Sequence, residues 1–82
     1  MDKISILIAD DHKLIREMWK EMFSRNPNLK VIGESGMMQE AIELIKQKRP
    51  DLVLLDINLA GDSGFDAMPL IKKYAPGTLG RK

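Results

Sequence analysis

The sequence predicts an open α/β fold built on a parallel sheet, and three observations carry that prediction. Two short runs, ISILIA at 4–9 and DLVLLD at 51–56, are almost continuously apolar. They are too short for helices and have the pattern of strands covered on both faces. The segments that follow them switch to helical periodicity. Elements therefore alternate as β-α-β-α-β-α, an order suited to right-handed crossovers between parallel strands.

Each element has its own warrant. After the first strand, residues 14–23 place Leu14, Met18 and Met22 on one helical stripe with Ile15, Trp19 and Phe23 beside it. Lys13, Arg16, Glu17, Lys20 and Glu21 supply the polar face. SRNPN at 24–28 ends that helix, because the residue before proline is steered away from helical geometry. LKVIGE at 29–34 is a second, weaker strand, and Ser35-Gly36 turns the chain. Met38, Ala41, Ile42 and Ile45 mark a second helix ending near KQKRP, with cations where the helix dipole favours them. DLVLLD is the third strand, INLAGDSG a loop, and 64–74 a third helix carrying Phe65, Met68 and Ile71. Pro69 inside it costs one backbone hydrogen bond. Met18, Met22, Met37, Met38 and Met68 admit an adaptable binding surface, but those on helical stripes are expected in the core, as is Trp19.

Bulk properties narrow the function. The 82 residues suffice for one small domain. At 44% hydrophobic and 30% charged, the chain has the composition of a soluble globular protein. A net charge of +1 recommends neither nucleic acid nor an anionic membrane as partner. Without cysteine there are no disulfides and no thiolate metal sites. No apolar run approaches the ~20 residues of a membrane span, and the start is too weakly apolar for a signal peptide. A cytoplasmic domain is expected.

The acids carry the chemistry. Asp10 and Asp11 close the first strand and Asp56 closes the third. In open α/β sheets, ligands bind beyond the carboxyl ends of the strands, where strand order reverses. If the first and third strands are neighbours, with the second on the far side of the first, three carboxylates converge on one edge. Adjacent like charges repel, and a hard divalent cation, Mg²⁺ foremost, relieves that repulsion. A carboxylate beside such a cation suits phosphoryl chemistry, with Asp56 as nucleophile.

Three stretches, ILIADDHKLIR, VIGES and DLVLLDINLAGDSGFDAMPLI, together resemble the receiver domain of bacterial two-component response regulators. The ADDHKLIRE start resembles regulators with a helix-turn-helix output domain. The likeness runs over nearly residues 3–77 without insertion. It implies a flavodoxin-like (CheY-like) parallel sheet, with Asp56 as phosphate acceptor and Mg²⁺ as cofactor. Asp11 is implied as a direct metal ligand, Asp10 as one acting through water, and Asn58 as a ligand through its backbone carbonyl. Gly64 matches the glycine opening the third helix, while Ala60 stands where the family commonly has proline. A histidine kinase is the implied phosphodonor, and the chain is expected to be no enzyme in its own right.

A complete receiver has five strands and five helices and runs about half as long again. TLGRK lacks the apolar run of a fourth strand, so residues 1–82 are expected to form a single partial receiver domain lacking the last two strands and helices. The family's phosphate-sensing serine or threonine and its phosphate-binding lysine match neither Thr78 nor Lys72, Lys73 or Lys82. Left as an edge, the third strand would expose unpaired backbone groups, and uncovered apolar helix faces would join it in favouring a homo-oligomer. No contact with nucleic acid or membrane is expected of this segment.

Plainer readings stand beside these. Asp10 and Asp11 suit strand ends or a helix N-cap, as Asp62 and Ser63 suit a turn or cap. His12 is expected as a solvated first-turn residue, and the basic tail as a solvated end. Three functions compete: a phosphoryl-accepting receiver, a signalling-incompetent fragment acting only by oligomerising, and a small aspartate-based phosphohydrolase.

Overall fold

The computed structural model describes residues 3–56, 73 and 79–81. Its elements run β1 (Ile4–Ala9), α1 (Lys13–Ser24), β2 (Leu29–Ser35), α2 (Met38–Lys48), β3 (Leu52–Asp56) and β4 (Leu79–Arg81). The sheet order is β2-β1-β3-β4, with every pairing parallel. Because β2 and β3 flank β1 on opposite sides, right-handed crossovers place α1 and α2 on opposite faces. The third helix expected at 64–74 lies outside the described residues apart from Lys73, which is helical and exposed.

Burial follows the strand period. Leu7, Ala9, Val53 and Leu55 alternate onto one face and pack with Ala41 and Ile45 of α2, with Met38, Ile42 and Leu44 half-covered around them. Ile6 and Ile8, turned to the other face, are also fully buried, so β1 is apolar from Ile6 to Ala9, where both its faces are covered. Against β1, β2 slips register between Ile6 and Leu7, leaving Ile32 as the extra residue of a bulge. At the end of α2, Arg49 adopts a left-handed conformation (φ 44°, ψ 62°) and its amide still reaches the Ile45 carbonyl at 2.8 Å. Buried Pro50 follows, which cannot continue a helix.

Two expectations are corrected. The chain was expected to stop at three strands with β3 as an open edge, yet Leu79–Arg81 pairs with it through Leu54↔Leu79, Leu55↔Gly80 and Asp56↔Arg81. A strand at the border of a sheet needs only backbone donors and acceptors in register, so the missing apolar run was the wrong criterion. β4 thus covers the Leu54–Asp56 part of the edge through which a homo-oligomer was expected. The second correction concerns α1, whose expected core stripe faces outward: Leu14 is 83% exposed, Met18 48% and Met22 47%. Ile15, Trp19 and Phe23, one position on, are the half-buried row, and the Trp19 and Phe23 rings stack with centroids 5.5 Å apart. On the second helix Met37 is 65% exposed at the N-cap while Met38 packs on the core.

At the end of the sheet away from the acids, Asp51 and Ser5 clamp β1 to β3. Asp51 Oδ2 accepts from the Ser5 amide (2.9 Å) and hydroxyl (3.0 Å), and the Ser5 Oγ accepts from the Asp51 amide (2.9 Å). The Ser5 amide, then its hydroxyl, hold the Asp51 carboxyl below its ordinary pKa. A depressed carboxylate contributes stability above its unfolded pKa and loses it as pH falls through the folded one. Ser5→Ala should therefore lower stability at neutral pH and flatten the acid side of the stability–pH profile; an unchanged profile in urea melts at pH 3–7 would refute the clamp. No described helix is long and apolar enough to cross a membrane.

Candidate functional site

The carboxyl ends of β1 and β3 lie side by side, since Ala9 and Leu55 are register partners. The next residue on each strand is an aspartate. Asp10 and Asp56 are 2% and 4% exposed, whereas the Asp11 side chain is about half exposed. One ligand atom from each of Asp10, Asp11, His12 and Asp56 fits within a mutual span of 4.8 Å. Three of the four predicted site residues thus meet at one point. Asn58, the fourth, lies outside the described residues.

His12, expected only as a solvated first-turn residue, is the fourth member of the cluster. Its ring is exposed, as expected, yet Nδ1 stands 3.0 Å from Asp10 Oδ1, 2.8 Å from Asp11 Oδ1 and 4.0 Å from Asp56 Oδ2. Asp10 Oδ1 also accepts from the His12 backbone amide at 2.9 Å. This local turn is not the helix N-cap that the plainer reading offered for Asp10, since His12 holds the N-cap position, and it swings the His12 ring over the acids. The signal was available in the bare order Asp-Asp-His, where a side chain two residues beyond an acid can fold back onto it.

Electrostatics follow from the geometry. The hydrogen bond to Asp10 and the charge of Asp11 raise the His12 imidazole above its usual 6.5. A raised histidine contributes stability that is complete below the unfolded pKa and lost as pH rises through the folded value. The His12 ring resonances should therefore titrate above 6.5 in a metal-free NMR series, and Asp10→Asn should bring the midpoint down. A midpoint at or below 6.5 in the parent would contradict this placement.

Three carboxylates, two of them buried, supply most of the donor atoms in this cluster, with His12 Nδ1 the fourth, and their hard oxygens and high charge density fit a hard cation such as Mg²⁺. Asp10, Asp11 and Asp56 would hold it.

The wall of the site is also polar and built. Ser35, buried at the end of β2, accepts from the Met37 amide and donates to its carbonyl, fixing the turn into α2. Arg16 and Lys20 of α1 both pair with Glu34 of β2. Lys20 foremost, then Arg16, hold Glu34 below the ordinary glutamate pKa. Sequence alone marks these three residues as no more than a polar helix face and a strand end.

The family model for the response regulator receiver domain matches residues 6–79. The chain belongs to that family. It is 37% identical over 70 residues to the sensory transduction protein LytT of Bacillus cereus, spanning 85% of this chain and 28% of that protein. The nitrate/nitrite response regulator protein NarL of Escherichia coli is 35% identical over 84% of this chain and 32% of its own length. Among solved structures, the response regulator domain of Thermotoga maritima CheB superposes with a TM-score of 0.83 at 30% identity, covering 95% of this chain and 59% of that one. The receiver domain of the putative response regulator NarL from Mycobacterium tuberculosis gives 0.79 at 32% identity, over 98% and 64% respectively. The chain spans about a third or less of the curated relatives and about three-fifths of the solved receiver domains.

Proposed function

We propose that the chain is a phosphoryl-accepting receiver module in which Asp56 takes a phosphoryl group from a histidine kinase. The observation that carries this reading is the convergence of Asp10, Asp11 and Asp56 at the carboxyl ends of adjacent parallel strands. Family membership and the likeness to sensory and transcriptional regulators support it.

In the reaction a carboxylate oxygen of Asp56 attacks phosphorus and a P–O bond forms. The P–N bond to the donor imidazole breaks, and that ring leaves as a neutral group after taking a proton. The product is an acyl phosphate on Asp56. Bound Mg²⁺ supplies charge neutralisation for the incoming phosphoryl oxygens. The protein's part is position: β3 fixes the Asp56 carboxylate in a nearly dry setting, and β1 presents Asp10 and Asp11 beside it. Little further covalent machinery is needed, because such transfers rest mainly on alignment and charge. The chain is modified once rather than turning substrate over.

Incubation with Mg²⁺ and a small acyl-phosphate donor, followed by intact-protein mass, tests the proposal. Gain of one phosphoryl group, abolished by a chelator, is the expected result. No gain at millimolar donor and metal would overturn it, and sustained hydrolysis of phosphate esters would favour a phosphohydrolase instead.

A further inference from the structure

Arg16, the fourth residue of α1, sits with only 17% of its side chain exposed. Its Nη1 donates to the backbone carbonyl of Asp10 at 2.6 Å, and its Nε donates to Glu34 Oε1 at 3.0 Å. That carbonyl belongs to the peptide unit joining Asp10 to Asp11. The amide of Asp10 donates in turn to the Ser35 carbonyl at 3.0 Å. The main chain at the head of the acidic pair is therefore tied on one side to β2 and on the other to α1.

Space has been left for this strut. A Cβ on Gly36 would come within 2.9 Å of Arg16 Nη1, so a larger residue there must push the guanidinium aside. Lys20 braces Glu34 from a second position on α1, pairing with Glu34 Oε2 while Arg16 holds Oε1. Helix, strand and turn thus converge on one peptide plane. That plane sets the origin and direction of two carboxylates at once.

We propose that Arg16 is a positioning residue for divalent-cation binding: it holds the Asp10–Asp11 peptide so that both carboxylates face the position shared with Asp56. The inference rests on the reading of these acids as a cation site. Mg²⁺ tolerates little departure from octahedral geometry, so a small rotation of that peptide is costly to binding. Outer residues that orient ligands in this way typically govern affinity by 10–100-fold.

The sign of the effect separates positioning from charge. Arg16 is a cation near a cation site, so removing its charge alone would tighten Mg²⁺ binding. Removing a strut weakens it.

The test is calorimetric titration of the chain with Mg²⁺, for the parent, Arg16→Gln, Arg16→Lys and Gly36→Ala, with metal-free thermal melts establishing that each is folded at the titration temperature. Arg16→Gln should raise the Kd about tenfold. Arg16→Lys keeps the charge and can reach one acceptor but not fork between two, and it should fall between Arg16→Gln and the parent. Gly36→Ala displaces the guanidinium without altering any charge and should weaken binding in the same direction. Parent-like or tighter binding by folded Arg16→Gln overturns the proposal, even if that variant melts earlier. Should Arg16→Gln fail to fold, Gly36→Ala decides, and a parent-like Kd overturns the proposal. A parent that binds no Mg²⁺ at millimolar concentration overturns the cation-site reading and this inference together, whereas a binding parent with unaffected variants overturns this inference alone.

Discussion

With asparagine in place of Asp56, the chain should take up no phosphoryl group under conditions that modify the parent. The amide matches the carboxylate in shape but is a far poorer nucleophile, so the effect is loss rather than slowing. Stability should not fall with it. Asp56 is 4% exposed and shares its surroundings with Asp10 and Asp11, and making one of three neighbouring carboxylates neutral relieves like-charge repulsion. Intact mass read beside a thermal melt checks both parts. A phosphoryl gain in Asp56→Asn would place the acceptor elsewhere, and a markedly lower melting temperature would mean that the Asp56 charge is a structural necessity.

The largest stability effect is expected one residue earlier. Leu55 is completely buried between β1 and α2, within the cluster that includes Leu7, Val53 and Ile45. Leu55→Ala removes that packing and leaves a cavity, at a cost of about 2–5 kcal/mol. A domain of this size has roughly 4–12 kcal/mol in total, so the variant should lose a large share of its stability in urea. Because the same strand carries Asp56, phosphoryl uptake should follow the folded fraction. A loss below about 1 kcal/mol would show that the space beside β3 closes readily.

The contrast between these residues explains what could be read from the chain in advance. Strand identity was legible because ISILIA and DLVLLD are apolar runs: β1 is buried on both faces from Ile6 to Ala9, and β3 buries Val53 and Leu55 while Leu52 and Leu54 are half-buried on its other face. The order of β2, β1 and β3 was a condition for the acids to converge, and the sheet meets that condition. β4 was not legible, since Leu79–Arg81 joins the sheet through backbone groups that every residue carries. Of the two adjacent rows read on α1, only the one carrying Trp19 turns inward, and the core position expected for Met18 and Met22 is not met. Leu14, Met18 and Met22 have the right spacing for a core, but Ile15, Trp19 and Phe23 share that spacing, and periodicity alone does not choose between adjacent rows.

At the site, the Asp10–Asp11 pair and Asp56 stood out because each follows an apolar run, and the structure brings them together. His12 was named and set aside, since its role depends on a backbone turn that swings its ring toward the acids. Arg16 and Glu34 lie 18 positions apart and meet only when α1 docks beside β2, a relation no local spacing expresses. Gly36 had been read as a turn residue, and its small size proves to matter for the guanidinium it accommodates.

Trp19 is the chain's single tryptophan, stacked on Phe23 with its indole N–H buried and without a hydrogen-bond partner among the described residues. That one chromophore occupies the turn of α1 immediately after Arg16, so its ultraviolet emission reports the seating of the helix that steadies the acids. Seated, the indole is shielded and should fluoresce toward the blue; unseated, it meets water and shifts to the red. Stopped-flow mixing could then follow, without any added dye, whether α1 settles on the sheet before or after the remainder of the chain becomes ordered.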